Sequence, residues 1–165
     1  MTQSIEAEFT AFVVSRAPAL VRVAYALTGD QQTAEDLVQA ALVQAARHWE
    51  RIHTSPEAYV RRTMYHQNIS WWRRRRLAES PLESYDAPVP AADPTLRLTL
   101  EQALRRLTPR QRTVLVLRYF EDLTEVQTAA TLGISSGAVK SMSRQALQRL
   151  RVLAPELADL VGADA

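Results

Sequence analysis

Apolar residues recur at helical spacing along most of the chain. In the first part they form two stripes, over residues 9–27 and 34–45, and spacings of three and four residues predict amphipathic helices. Pro18 lies inside the first stripe and predicts a break or kink between two helices. Between the stripes, Gly29 suits a left-handed C-terminal cap and Asp30 suits an N-cap.

A third helix is predicted from Ser55 to about Arg76. Ser55, Pro56 and Glu57 combine an N-cap, a proline at the first helical position and an acid in the first turn. From residue 77 to about residue 94 the periodicity stops, and this segment holds four of the eight prolines. Such a composition predicts a flexible linker.

Helical spacing resumes after the linker and continues almost to the C-terminus. Capping boxes at Thr108 and Thr124 open two helices, while Gly133 ends one helix and Ser135 caps the next. No alternating run is long enough for a strand. The pattern therefore predicts an all-α chain of two small helical domains, residues 1–77 and 95–165, joined by a flexible linker at 78–94.

The composition agrees with this fold and excludes several kinds of site. The 165 residues are 47% hydrophobic and 23% charged, as in ordinary core-forming chains. There is no cysteine for disulfides, thiolate metal sites or nucleophilic catalysis, and the four glycines form no phosphate-binding motif. No apolar run approaches the roughly 20 residues of a membrane span, and no signal peptide is recognisable. We expect a cytoplasmic protein without membrane insertion.

The last two predicted helices have the proportions of a helix-turn-helix. No acidic residue falls between Val126 and Pro155, a stretch that covers most of both helices. On the longer helix, the sector turned away from the apolar residues carries Lys140, Ser141, Arg144, Gln148 and Arg151. Such a face can contact base edges and phosphates in a major groove. The alternative is the solvated face of an ordinary amphipathic helix.

Residues 61–76 place aromatic rings among arginines. Rings can stack on unstacked bases and guanidinium groups can hold phosphates, so the segment is a candidate for binding opened nucleic acid. The alternative is that the tryptophans are core residues and the arginines end a helix favourably at its negative pole. On a helix, one stripe comprises Arg61, Tyr65, Asn68, Trp72 and Arg76, while Val60, Met64 and Trp71 point away from it.

Two acids and a glutamine lie beside the apolar ridge of the second predicted helix. Glu35 and Asp36 could ligate a metal or act as general bases, but no histidine lies four residues from either acid or from another histidine. An exposed helix face is the default interpretation, and a protein-docking edge is the alternative. We therefore predict no catalytic residue, no metal site and no cofactor.

Together these segments resemble the extracytoplasmic-function (ECF) sigma factors of bacterial RNA polymerase, in the SigE-like actinobacterial subgroup of the sigma-70 family. ALTGD and AEDLVQ (residues 26–30 and 34–39) are similar to the core-binding segment of sigma region 2. AYVRR and ISWWRR (58–62 and 69–74) are similar to its −10 reading helix. LTPRQR, YFEDLTE and VKS (107–112, 119–125 and 139–141) are similar to the −35 reading domain, sigma region 4. The likeness spans nearly the whole chain.

The resemblance implies a specificity factor, not an enzyme, which binds core RNA polymerase, recognises −35 and −10 elements and stabilises the open promoter. It implies contacts to the clamp helices of the largest subunit through Glu35, Asp36, Gln39 and Leu42. It implies −10 contacts by Arg61, Tyr65, His66, Asn68, Trp72 and Arg73, with the loop 50–55 bordering the pocket for a flipped base. It implies −35 contacts by Arg110, Arg112, Ser136, Lys140, Ser141 and Arg144.

The resemblance also implies partners. These are core RNA polymerase, including its flap, promoter DNA and an anti-sigma factor, and the free protein is expected to be a monomer.

Three alternative functions stay open at this point. Residues 107–115 also resemble the start of LuxR-type output domains, which would make the chain an ordinary helix-turn-helix regulator, but this leaves residues 31–76 without a purpose. A nucleic-acid enzyme would use Glu35 and Asp36. A helical adaptor would bind only proteins. Duplex binding that needs no polymerase would favour the regulator, and metal-dependent cleavage lost in Glu35→Ala would favour the enzyme.

Overall fold

The computed structural model describes residues 2–78 and 96–157. No strand occurs in these two ranges, which confirms the all-α prediction. Short 3-10 turns lie at Trp49–Arg51 and Pro155–Leu157, and a π-helical turn lies at Val116–Phe120. The α-helices are α1 (Thr2–Thr28), α2 (Gln31–His48), α3 (Pro56–Ala78), α4 (Leu96–Arg105), α5 (Pro109–Leu115), α6 (Glu125–Leu132) and α7 (Ser136–Leu153).

The chain forms two compact units, Met1–Ser70 and Trp71–Ala165. The division falls inside α3, whereas the sequence suggested a boundary after residue 77. The proposed linker at 78–94 lies outside the described residues except for Ala78, which is the last residue of α3. The linker and the exact domain limits therefore stay predictions.

The core of the first unit is built from one side of each of its helices. The apolar ridges predicted on α1 and α2 are buried except for four half-buried residues, and α3 adds residues from its first half. The half-buried ones are Phe9, Phe12, Val13 and Leu42. Because the buried side chains leave water together, their burial is the main term that holds the three helices to one another. The core residues are Leu20, Val23, Ala24, Leu27, Ala34, Leu37, Val38, Ala41, Ala45, Val60, Met64 and Tyr65.

The predicted break at Pro18 is wrong, because α1 runs through this residue without interruption. A proline inside a helix removes one hydrogen bond to the carbonyl four residues earlier. That carbonyl belongs to Val14, whose side chain is exposed, as is Pro18 itself. The lost bond therefore lies on the outer side of the helix, where water can replace it, and the buried side chains of the following turns stay in place.

The statement that no apolar run approaches the length of a membrane span needs correction. The segment Gln3–Thr28 is long and apolar enough to cross a membrane by length and composition. Its most deeply buried side chains, such as Leu20 and Ala24, line the core of the first unit. A helix that contributes to the core of a globular domain meets the same two criteria.

The second unit packs α7 against the other helices through two apolar clusters. One cluster joins α4, α5 and α7 through Ala103, Leu107, Leu115, Ala146 and Leu150. The other joins α5, α6 and α7 through Val114, Ala129 and Val139. Both clusters use the same side of α7, so its opposite side is left for solvent.

The helix ends follow the predicted capping chemistry. Thr108 and Thr124 each form a complete capping box, with the N3 backbone N–H donating to the threonine hydroxyl. Gly133 adopts φ 69° and Gly29 adopts φ 73°, both in the left-handed region that favours glycine. The Ser135 hydroxyl accepts from the Ala138 N–H at 3.1 Å. These caps fix where α6 ends and α7 begins, and thereby fix which side of α7 faces outward.

Candidate nucleic-acid interface

The helix α7 separates its apolar and cationic residues onto opposite sides. Val139, Ser143, Ala146 and Leu150 are buried. Arg151 is half-buried, and the exposed residues of the predicted DNA-facing sector are Ser136, Lys140, Ser141, Arg144 and Gln148. The predicted division of this helix into two faces is therefore confirmed.

The outward face of α7 carries positive charge that no ion pair among the described residues compensates. No acidic residue lies anywhere on the helix. Lys140 and Arg144 form no ion pair or hydrogen bond through their side chains within the part of the chain that the structure describes. Cations in this state can exchange water for DNA phosphates without first breaking an internal contact.

The two arginines predicted to lie near DNA phosphates on α5 differ from each other. Arg110 is exposed in the first turn of the helix. Arg112 is only 7% exposed and lies in a run of consecutive buried residues, Arg112–Leu115. Arg112 is thus buried within the second unit, and the structure gives no support to its predicted −35 contact.

The predicted nucleic-acid stripe on α3 is also partly buried. Tyr65 is 2% exposed and Asn68 is 7% exposed. At about 100° per residue, the buried residues Val60, Met64, Tyr65 and Asn68 span a sector of about 140°. Tyr65 and Asn68 are therefore buried, because the core of the first unit covers more of α3 than the pattern of aliphatic residues indicated, and their −10 contacts stay a prediction.

The exposed face of α3 lies on another side of the helix. Arg62, His66 and Arg73 are all exposed, and their helical angles agree within about 40°. His66 and Arg73 were predicted to contact DNA, whereas Arg62 was not. The i, i+4 spacing of Arg62 and His66 was a signal that could have identified it. Trp71 and Trp72 are both half-buried, and at about 100° per residue Trp72 falls within the angular range of the buried sector, between Asn68 and Tyr65.

Arg61 is held by an internal ion pair. Its Nη2 atom lies 2.8 Å from Oε1 of Glu57, one helical turn earlier, and its side chain is 24% exposed. The other carboxylate oxygen of Glu57 lies 3.5 Å from Nε of Arg16 on α1. Glu57 therefore binds two arginines from two helices, and it neutralises part of the charge that Arg61 would offer to DNA.

Burial raises the pKa of the Tyr65 phenol to about 12, an effect that the positive charge of Arg61 opposes and the negative charge of Glu57 reinforces. The phenol is therefore neutral at every physiological pH. Tyr65 behaves as a core residue beneath the Glu57–Arg61 pair.

The loop after α2 begins at an aromatic cluster. The ring centroid of Trp49 lies 5.1 Å from that of Phe9, in an edge-to-face arrangement, and 5.3 Å from that of Phe12. Beyond this anchor, Ile52 is half-buried and most of the loop residues 50–55 are exposed. The loop is thus fixed at one end to α1, and its role beside a flipped base stays a prediction.

The candidate protein-docking face of α2 points away from its core ridge. Glu35, Asp36 and Gln39 are exposed, and Leu42 is half-buried. Val43, which the sequence analysis did not include, is 50% exposed on the same side. The face therefore combines acids, an amide and accessible aliphatic surface.

The two acids of this face are held by their own helix. Gln31 donates to the Glu35 carboxylate at 2.8 Å, and Gln32 donates to the Asp36 carboxylate at 3.0 Å. Within the described residues, no group of three or more histidines, cysteines or acids could hold a metal ion. The arrangement suits hydrogen bonds and ion pairs with another protein.

A further surface was not predicted from the sequence. After α5 the backbone widens into the π-helical turn, and the following Asp122 adopts φ 55°. Tyr119 and Phe120 are 53% and 56% exposed at this turn. Arg118 donates to the Leu123 carbonyl and lies 5.9 Å from the Tyr119 ring centroid. The hydrophobic periodicity indicated a continuous helix here and gave no sign of the wider turn.

Comparison with known families gives two matches along the chain. Residues 12–78 match the family described as Sigma-70 region 2. Residues 103–152 match the family described as Sigma-70, region 4. The first match includes α2 and α3, and the second includes α5, α6 and α7.

Curated relatives match over most of their length. RNA polymerase sigma-E factor of Streptomyces coelicolor is 41% identical over 152 residues, which cover 87% of this chain and 84% of the relative. ECF RNA polymerase sigma factor SigL of Mycobacterium tuberculosis is 33% identical over 153 residues, which cover 86% of this chain and 85% of the relative.

A solved structure has the same fold. It is the sigma factor RpoE from Bartonella quintana, in complex with the anti-sigma factor NepR, at 22% identity and a TM-score of 0.67. The likeness covers 96% of this chain and 99% of that one.

Proposed function

The chain belongs to the sigma-70 family of bacterial RNA polymerase sigma factors, in the extracytoplasmic-function group, and on this premise we propose how its surfaces act at a promoter. A sigma factor binds core RNA polymerase and directs initiation at specific promoters. The observation that carries the residue assignment is the uncompensated cationic face of α7, on the side opposite to its core.

α7 reads the −35 element as a duplex. Ser136, Lys140, Ser141 and Arg144 lie on the face that enters the major groove, where lysine and arginine can donate to guanine and hydroxyls can contact either strand. Arg110, at the exposed start of α5, contacts a phosphate and fixes the register of the domain. Arg112 is excluded from this set because it is buried.

α3 contacts the −10 element once its strands have separated. Arg62, His66 and Arg73 supply the cationic face, and the accessible part of Trp72 offers a ring for stacking. Capture of a flipped base in the region of the loop 50–55 offsets an unpairing cost of roughly a few kcal/mol. Tyr65 and Asn68 are buried on the core side of this helix and hold it in place.

α2 docks on the clamp helices of the polymerase largest subunit. Its outward face offers carboxylates at Glu35 and Asp36, an amide at Gln39 and apolar surface at Leu42 and Val43. This combination resembles ordinary protein interfaces, in which an apolar centre is bordered by polar groups.

Several further properties belong to the same proposal. The chain catalyses no reaction of its own, acts in the cytoplasm beside the polymerase and is a monomer when free. The polymerase flap is a second contact on the core enzyme. An anti-sigma factor restrains it, as NepR accompanies the Bartonella protein in its solved complex.

In vitro transcription with purified core polymerase tests the proposal. Genomic fragments are screened for transcripts that start only when the chain is added. We expect defined start sites with −35 and −10 elements upstream. Duplex binding without any core-dependent transcript would support the helix-turn-helix regulator instead, and nucleic-acid cleavage that Glu35→Ala abolishes would support the enzyme.

The separate roles of the units are tested on such a promoter. Arg144→Ala should weaken −35 recognition and leave affinity for core polymerase intact, as measured by footprinting and by co-purification. Trp72→Ala should reduce promoter melting more than closed-complex formation. If Arg144→Ala abolishes core binding, or Trp72→Ala weakens both promoter steps equally, the assignment of surfaces is wrong.

A further inference from the structure

Lys140 is chemically unique in this chain. Of the 20 basic residues counted as lysine or arginine, it is the only lysine, and the rest are arginine. Arginine keeps its proton in proteins, whereas a lysine amine can lose its proton and act as a nucleophile. Apart from the α-amine, an acyl donor therefore has one amino group to react with.

The structure leaves this amine accessible. Lys140 is exposed in the second turn of α7, on its outward face, one helical turn from the exposed Ser136 on one side and Arg144 on the other. An ion pair with a carboxylate would hold the amine in place and hinder its approach to an acyl donor. α7 has no acidic residue, and Lys140 has no ion-pair partner among the described residues.

We propose that Lys140 is a site of acylation that weakens the binding of α7 to duplex DNA. The donor class is an acyl phosphate or acyl thioester, for which acetyl phosphate is the simplest example. The neutral Nζ attacks the acyl carbon, a C–N bond forms and the C–O bond to phosphate breaks. Phosphate departs as the leaving group and the amine releases a proton. No oxidant or reductant is needed, and the product is a neutral amide.

Acetylation weakens DNA binding because it changes the charge on the DNA-facing side of α7. Acetylation removes one positive charge from α7, together with a donor that an arginine four residues away cannot replace at the same position. One lost phosphate contact reduces the slope of log affinity against log salt by about 0.9 on duplex DNA. This inference rests on the proposed function, because it requires α7 to face DNA.

The test uses the full-length chain, acetyl phosphate as the donor and a fluorescent mixed-sequence duplex at low salt. Mass spectrometry of the treated protein identifies the acetylated position and its stoichiometry. We expect acetylation at Lys140 and about a five- to tenfold loss of duplex affinity, with a shallower salt dependence. Lys140→Arg is the matched control: it keeps the charge but has no amine, and its affinity is compared before and after treatment.

The outcomes separate the two proposals. Acetyl groups absent from Lys140, full affinity in the acetylated protein, or an equal loss in treated Lys140→Arg would each overturn the acylation switch. If the untreated chain instead shows no duplex binding and no core-dependent transcription, the proposed function has failed. The mass-spectrometric result would still show whether Lys140 is the reactive amine.

Discussion

The helices α3 and α7 are both rich in arginine and both are proposed to contact the promoter, yet they expose their residues differently. α7 has one buried side and one free side, and no acidic residue lies on the helix itself. α3 is buried over a wider sector, and one of its arginines is bound by Glu57. The basic side chains on the free side of α7 are therefore available to bind DNA, whereas those of α3 are available only in part.

The difference has a physical meaning for how each element is bound. A free cationic face can bind a rigid duplex through its phosphates before any other change occurs. Buried aromatic and amide groups hold a helix in a fixed position. A separated DNA strand can then bind to it without any rearrangement of the helix. We infer that α7 contributes mainly electrostatic attraction to duplex DNA. The contribution of α3 is mainly a preorganised surface that binds separated bases.

The largest expected effect is a loss of stability when Tyr65 is replaced. This loss tests whether Tyr65 is a core residue and not part of an exposed interface. Because the side chain is buried, Tyr65→Ala should lower the free energy of unfolding by about 3 kcal/mol, as for other buried aromatic residues. Urea denaturation followed by circular dichroism measures this. Arg62→Ala, on the exposed side of the same helix, is the control and should change stability by less than about 0.5 kcal/mol. Equal effects of the two variants would contradict the burial of Tyr65.

The second prediction uses pH at the same residue. Burial raises the pKa of Tyr65 to about 12, above the ordinary value of 10.0. Its contribution to stability is therefore complete below pH 10 and is lost as the pH rises through 12, by about 2 kcal/mol. Because other tyrosines also ionise in this range, the measurement compares the chain with Tyr65→Phe. The wild-type should lose more stability than the variant between pH 10 and 12, and parallel curves would contradict the prediction.

The third prediction concerns the free side of α7. Arg144→Gln should weaken duplex binding about tenfold and reduce the salt slope by about 1, because one cation is lost from the DNA face. Arg149→Gln is the matched control, since Arg149 is exposed on a different side of the same helix. Fluorescence anisotropy across a salt series measures both. Similar losses in the two variants would mean that α7 attracts DNA without a defined face.

The smallest effect tests the ion pair on α3. Glu57→Gln releases Arg61 and removes a negative charge near the opened strand, so single-stranded DNA should bind about twofold more tightly. The salt slope should steepen by up to about 0.7. Binding of a labelled oligothymidine to the full chain measures this. The gain should vanish when Glu57→Gln is combined with Arg61→Gln, and a gain that persists in this double variant would show that Glu57 does not act through Arg61.

Local chemistry explains which parts of the fold the sequence could predict. The caps at Asp30, Thr108, Thr124 and Ser135 depend on interactions within four residues, and all four form as expected. The faces of α7 were also predictable, because its apolar residues lie on one side and its polar residues on the other. Gly133 fixes the turn before this helix in the left-handed conformation.

The errors arose where packing from distant parts of the chain decides exposure. Tyr65, Asn68 and Arg112 are polar or amphipathic residues that the helical stripe or the family resemblance assigned to the DNA-contacting surface. Neighbouring helices bury them instead. The π-helical turn likewise depends on a change of hydrogen-bond register that leaves the hydrophobic spacing almost unchanged.

The most direct measurement is permanganate reactivity of promoter thymines with core polymerase, with the chain and with both together. A sigma factor should make the −10 thymines reactive only in the third mixture, because strand opening needs the factor seated on the enzyme. If the folded chain neither joins the polymerase nor opens DNA with it, the assignment of these two helical units to promoter recognition is contradicted.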